Sequence, residues 1–98
     1  MDIQQFENDD TVKINHDFLL NCARNKELTK KSYRVLLYLL TIGDSIDFTE
    51  YTQKEIASAL NMDKSSVSLA LKSLLEEDII LNFPYGRFFK FQDFDINE

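Results

Sequence analysis

Apolar residues recur at helical spacing through the first half of the chain. Residues 30 to about 42 follow Thr29, a good N-cap, and end at Gly43, so they are predicted to form a capped helix. Its apolar positions are Tyr33, Leu36, Leu37 and Leu40. A shorter helix is predicted before it, capped by Asn15 or His16 and carrying Phe18, Leu19 and Cys22. Residues 12–14 and 46–51 are predicted to be short extended segments.

Residues 52–75 predict two short helices joined by a tight turn. Thr52, with Glu55 three positions later, forms a capping-box pattern. Ile56, Ala59 and Leu60 are the apolar positions of the first helix. Asn61 tolerates a left-handed backbone and Asp63 is a good N-cap for the second helix. The inward positions of that helix are expected to be Val67, Ala70, Leu71, Leu74 and Leu75.

The opposite side of this second helix is short and mostly small. Ser65, Ser68, Leu69 and Lys72 are expected to point outward. The DNA major groove admits a helix and presents hydrogen-bonding base edges, which suits such a surface. The start of the helix, with Lys64, Ser65 and Ser66, is expected to direct its backbone N–H groups at a phosphate.

Two strands are predicted near the end of the chain. Residues 79–83 and 87–92 are rich in residue types that favour β-strands. A turn is predicted between them, at Pro84, Tyr85 and Gly86. Tyr85 and Arg87 would lie at the hairpin tip with Lys90 further back, where cations reach phosphates or the minor groove. Five phenylalanines lie here, more than one ribbon face is expected to bury, which favours a homodimer: Phe83, Phe88, Phe89, Phe91 and Phe94.

The helix pair followed by a hairpin resembles the winged-helix families of bacterial regulators and plasmid replication initiators. The residues that carry the resemblance are Thr52, Glu55, Ile56, Ala57, Leu60, Met62, Val67, Ser68, Ala70, Leu71 and Leu74. It implies an α+β winged helix-turn-helix with three or four helices and a two-stranded β-wing. One domain over residues 12–94 is expected, with tails at 1–11 and 95–98, the helix-turn-helix at 52–75 and the wing at 79–92. The expected DNA-binding residues are Lys54, Lys64, Ser65, Ser66, Ser68, Leu69, Lys72, Tyr85, Arg87 and Lys90.

Composition narrows the class of protein. The chain has 98 residues, 44% of them hydrophobic, enough for one modest core. Its net charge of −6 excludes a protein that coats nucleic acid by charge alone. Acids lie at both ends and at residues 76–78, whereas cations are dense from Arg24 to Arg34, so one basic face is possible.

The sequence gives little support for catalysis, metal binding or membrane insertion. There is no Gly-rich phosphate loop or metal-ligand spacing, so an enzyme, a metal site and a cofactor are not expected. The lone Cys22 is expected to be a buried thiol, and His16 a surface or capping residue. Without an apolar run of about 20 residues or a secretion signal, a cytoplasmic location away from membranes is expected.

The sequence thus predicts a sequence-specific binder of double-stranded DNA. Its role is either that of a small plasmid- or phage-type accessory factor that marks an origin of replication or conjugative transfer, or that of a transcription regulator. A protein partner in a DNA-processing complex is compatible with both roles. A winged-helix protein-interaction adaptor is the alternative, because a fold does not determine a function.

Overall fold

A computed structural model describes residues 14–43, 48–82 and 87–91. Within them the chain is α+β, as predicted, with four helices and three strands. The elements in order are α1 (His16–Arg24), α2 (Lys30–Ile42), β1 (Thr49–Glu50), α3 (Gln53–Leu60), α4 (Lys64–Glu76), β2 (Ile80–Asn82) and β3 (Phe88–Phe91). The predictions for the two tails, for Val12 and Lys13 in a strand and for the turn with Tyr85 lie outside the described residues. Ile14 lies outside any strand and packs against the core.

Side-chain caps define the starts of three helices, as the sequence predicted. In each case a polar side chain accepts a hydrogen bond from the backbone N–H three residues later, which satisfies a donor that the helix leaves unpaired. The pairs are Asn15 with Phe18 at 3.1 Å, Thr29 with Ser32 at 3.2 Å, and Thr52 with Glu55 at 3.0 Å.

The turn between α3 and α4 depends on one backbone conformation. Asn61 has φ 56° and ψ 48°, the left-handed conformation that ends α3. The N–H of Met62 then donates to the carbonyl of Ala57 at 2.9 Å, and Asp63 takes the extended N-cap position of α4. The predicted tight turn between these two helices is therefore confirmed.

One core lies between the helices and the sheet, and every helix contributes to it. α2 packs mainly against α4 and less against α3. The largest side chains with almost no exposure are Phe89, Leu39, Ile56, Leu74, Ile80, Val35 and Val67.

Two predicted inward positions are wrong, and one further apolar residue of a predicted helix is exposed. Leu37 is 63% exposed, because the side of α2 that carries Val35 and Leu39 is the buried one and Leu37 faces away from it. In α3 the buried alanine is Ala57, and Ala59 faces outward. Leu19 is 43% exposed, since α1 buries only Phe18 and Cys22. In each case the apolar spacing was helical, but the neighbouring elements selected a narrower stripe.

The predicted hairpin strands pair, and a third strand joins them. β2 and β3 are antiparallel, with Ile80 opposite Phe91. β1 pairs with the other edge of β3, so the sheet order is β1-β3-β2. The sequence predicted an extended segment near β1 but not its place beside the hairpin.

The aromatic side chains of β3 belong largely to the core. Phe89 and Phe91 are 1% and 3% exposed, and their rings meet edge to face at 5.3 Å. Phe18 and Tyr51 each add an edge contact to one of these rings. The expectation of surplus aromatic surface is therefore wrong for these two positions, because α1 and the segment after β1 supply partners that a two-stranded ribbon lacks. Phe83 and Phe94 lie outside the described residues.

Candidate nucleic-acid interface

Helix α4 has the two different sides that the sequence predicted. Val67, Ala70, Leu71 and Leu74 are buried, whereas Ser65, Ser68, Leu69 and Lys72 are exposed. Leu69 is 68% exposed, the largest exposure among the large apolar residues described. The exposed face of α4, defined by these four residues, is small, weakly charged and centred on one leucine.

Ser66 is not part of that face, although it was predicted to contact DNA. It is only 9% exposed and lies between α2 and α4. Its hydroxyl accepts from Nζ of Lys31 at 3.0 Å and donates to Oδ1 of Asp63 at 2.7 Å. Ser66 therefore joins the two helices, and its hydrogen bonds are made within the protein.

The start of α4 carries a negative charge. The hydroxyls of Ser65 and Ser66 donate to the carboxylate of Asp63 at 2.5 and 2.7 Å, and these hydrogen bonds lower its pKa to about 2. Asp63 is thus ionised at neutral pH. A phosphate approaching this helix start would meet a carboxylate, so attraction for it must come from the cations around the helix.

Three of the predicted site residues come together around one recess beside α4. Lys54 of α3, Lys64 of α4 and Arg87, just before β3, line a cavity of about 360 Å³. We call these three residues and their cavity the cationic recess. Tyr51, Thr52 and Gln53 complete its lining, which contains no acidic side chain among the described residues.

The cations of the recess are available to a ligand. All three are exposed, and none lies within ion-pair distance of a carboxylate in the described part of the chain. The backbone N–H of Tyr51 donates to the carbonyl of Arg87 at 2.8 Å, which holds the hairpin against the start of α3. Three cations that come from separate segments, and that have no ion-pair partner among the described residues, suit an anionic ligand such as a phosphate.

Lys90 lies apart from the recess. It is half-buried on the sheet, with Nζ 5.8 Å from the centroid of the Phe48 ring. This cation–π contact gives Lys90 a partner within the protein. Tyr85, the other predicted hairpin residue, lies outside the described residues.

A second depression, between α2 and α4, was not predicted. It encloses about 510 Å³, and its lining residues are Thr29, Lys30, Lys31, Ser32, Ser66, Leu69, Ala70 and Ser73. We call it the α2–α4 groove. The cluster of cations from Arg24 to Arg34 was visible in the sequence, but their placement beside Leu69 depends on how the two helices cross.

The remaining candidate groups show no reactive arrangement. Burial raises the pKa of the Cys22 thiol, and His16 is exposed with Nδ1 3.9 Å from a carboxylate oxygen of Asp17. In residues 14–43, 48–82 and 87–91, no three His, Cys, Asp or Glu side chains gather as metal ligands would. None of the described helices is long and apolar enough to cross a membrane.

Comparisons with known proteins give no relative that assigns a role to these residues. No protein-family model, no curated protein and no solved structure matches the chain.

Proposed function

We propose that this chain is a winged helix-turn-helix protein that binds double-stranded DNA with sequence preference. The observation that carries the proposal is the cationic recess beside the exposed face of α4. The element order β1-α3-α4-β2-β3, with β3 between the other two strands, also supports it. In this arrangement α4 is the recognition helix and the β2–β3 hairpin is the wing.

The exposed face of α4 supplies the contacts that distinguish bases. It is narrow enough for the major groove, where the hydroxyl of Ser68 reaches base edges or phosphates. The Ser65 hydroxyl already donates to Asp63, so it contributes there as an acceptor for a base amino group. Leu69 contacts a thymine methyl group, and Lys72 binds a phosphate. Preference is therefore expected for sites with thymine opposite the middle of α4.

The cationic recess supplies attraction without sequence information. Its three positive charges lie in a protein of net charge −6, so the acidic remainder disfavours contact with DNA in other orientations. Binding should therefore be oriented, with the recess over the sugar–phosphate backbone and α4 in the adjacent groove.

Titration of duplex DNA at several salt concentrations tests the proposal. Lys54→Gln, Lys64→Gln and Arg87→Gln should each weaken binding to all duplexes, because each removes a phosphate contact. Each should also reduce the slope of log affinity against log salt by about 0.9. Lys26→Gln, which removes an exposed cation outside the recess, is the matched control and should have a smaller effect.

Two outcomes would count against the proposal. Absence of binding to any duplex at low salt, where phosphate contacts are strongest, would exclude the function. Equal effects of Lys26→Gln and the recess variants would mean that binding follows overall charge and not the recess. Loss of DNA binding with Arg87→Gln alone would mean that the wing makes the dominant contact with DNA.

The process served is either the marking of an origin or transcription regulation. A small plasmid- or phage-type accessory factor at an origin of replication or conjugative transfer needs little more than a DNA-binding surface, and a larger DNA-processing complex would supply its protein partners. Mapping the bound sites on the DNA of the source cell separates the roles. Sites at an origin indicate the first role, and sites over promoters indicate the second.

A protein-interaction adaptor is the second candidate function, favoured by the exposure of Leu69 beside the α2–α4 groove.

Homodimerisation stays a prediction, with less support now that Phe89 and Phe91 belong to the core. It would place two recognition helices on successive half-sites. Sedimentation at micromolar concentration should give a dimer mass, and a monomer mass would contradict it.

A further inference from the structure

Helix α4 has the α2–α4 groove on one side and the cationic recess on the other. Four residues of α4 line the groove at spacings that form one stripe along the helix: Ser66, Leu69, Ala70 and Ser73. Lys64 lines the recess, and at 3.6 residues per turn it lies about 180° around the helix axis from Ser73. The exposed face of α4 lies between the two, so a ligand that covers this face meets the groove as well as the recess.

Two lysines of α2 line the groove opposite α4. Lys30 and Lys31 are exposed, and neither forms an ion pair among the described residues. Nζ of Lys31 donates to the hydroxyl of Ser66 at 3.0 Å, which holds this cation beside α4. An ammonium group has three donors, so Lys31 keeps two for a ligand. The described lining of the groove contains no acidic side chain, so the groove offers two available cations to an anion.

A helix in the major groove has a sugar–phosphate backbone on each of its two sides. The groove is about 12 Å wide, and a helix with its side chains is about 10–12 Å across, so the helix fills it. The backbones at the two edges of the groove belong to opposite strands. When the cationic recess lies over one backbone, the other side of α4 therefore faces the second strand. That side carries Lys30 and Lys31.

We propose that Lys30 and Lys31 bind phosphates of the second DNA strand, at the mouth of the α2–α4 groove. Leu69 lies where the groove meets the exposed face of α4, so it stays free to contact a base. The inference rests on the proposed function and adds to it a second row of phosphate contacts. Cations on both sides of α4 fix the position of the helix across the major groove, which contact with one strand cannot do.

Salt titration of DNA binding tests the two lysines. Lys30→Gln and Lys31→Gln should each reduce the slope of log affinity against log salt by about 0.9, because each removes one phosphate contact. Lys31→Arg keeps the charge and should keep the native slope, which separates the charge of Lys31 from its contact with Ser66. Lys26→Gln removes an exposed cation that lines neither the groove nor the recess, so it is the matched control and should have a smaller effect.

Duplexes with uncharged methylphosphonate linkages identify the strand that each cation contacts. Neutral linkages along one strand of the bound site should abolish the effect of Lys30→Gln and preserve that of Lys54→Gln. Neutral linkages along the other strand should do the reverse, because a cation loses its contribution only when its own phosphate is neutral. The two variants have equal net charge, so each is the control for the other.

The results that overturn this inference differ from those that overturn the proposed function. If the recess variants reduce the salt slope and Lys30→Gln and Lys31→Gln do not, the function stands and the groove does not contact DNA. If neutral linkages along one strand abolish the effects of both Lys30→Gln and Lys54→Gln, the two cations contact the same strand and the inference is wrong. Absence of binding to any duplex at low salt overturns the function and the inference together.

Discussion

At the scale of single residues, Asp63 has the clearest electrostatic signature. Hydrogen bonds from Ser65 and Ser66 lower its pKa from 3.8 to about 2. A folded-state pKa below the unfolded value means that Asp63 stabilises the fold fully above pH 3.8. That contribution disappears as the pH falls through about 2.

We therefore expect the free energy of unfolding to differ between the native chain and Asp63→Asn by a constant amount at neutral pH. The difference should shrink between about pH 4 and pH 2, because Asn does not titrate in this range. Denaturant unfolding across this pH series measures this difference.

Ser65→Ala removes the shorter of the two hydrogen bonds that Asp63 accepts, so it should raise the Asp63 pKa in a carboxyl NMR titration. An unchanged titration would contradict this assignment.

Gly43 has two roles, and the sequence predicted only the first of them. It was predicted as a helix stop, and it does end α2, but its φ of −92° is open to any residue. A Cβ atom there would lie 2.8 Å from Cζ of Phe89 and 3.0 Å from Cε2 of Phe91. Glycine is thus required by the close approach of β3, which only the tertiary packing reveals.

At the scale of elements, the turn between α3 and α4 determines where the exposed face of α4 points. Asn61 holds a left-handed conformation that costs most other residues about 1–2 kcal/mol. Asn61→Ala should therefore lower the free energy of unfolding by about 1 kcal/mol, whereas Asn61→Gly should leave it nearly unchanged. Urea unfolding measures both, with the glycine variant as control. Equal stability of the two variants would show that the turn relaxes to another conformation.

The elements themselves were largely predictable from the sequence, because their signals are local. Asn15, Thr29 and Thr52 mark helix starts by side-chain hydrogen bonds that act within one turn. The outward position of Leu37 and the pairing of β1 with β3 were not predictable in the same way. Both depend on which neighbouring element covers a surface, and that information is spread over distant parts of the chain.

At the scale of the whole molecule, the candidate site could be predicted only where it depends on local sequence. The exposed face of α4 followed from helical periodicity alone, because periodicity decides which residues of a helix share a side. The cationic recess did not, because Arg87 is distant in sequence from Lys54 and Lys64 and meets them only when the hairpin packs beside α3. The burial of Ser66 was missed because Lys31 reaches it from another helix.

The two surfaces of the proposed function should respond differently to salt. Leu69 is 68% exposed on α4, so Leu69→Ser removes an apolar base contact and leaves the net charge unchanged. It should weaken binding to the preferred duplex about three- to tenfold, because one such contact contributes about 1 kcal/mol. The slope of log affinity against log salt should stay the same, unlike that of the recess variants. Fluorescence polarisation measures this, with Leu37→Ser, a change at an exposed leucine of α2, as the control. Equal affinities of the native chain and Leu69→Ser would mean that α4 makes no base contact through Leu69.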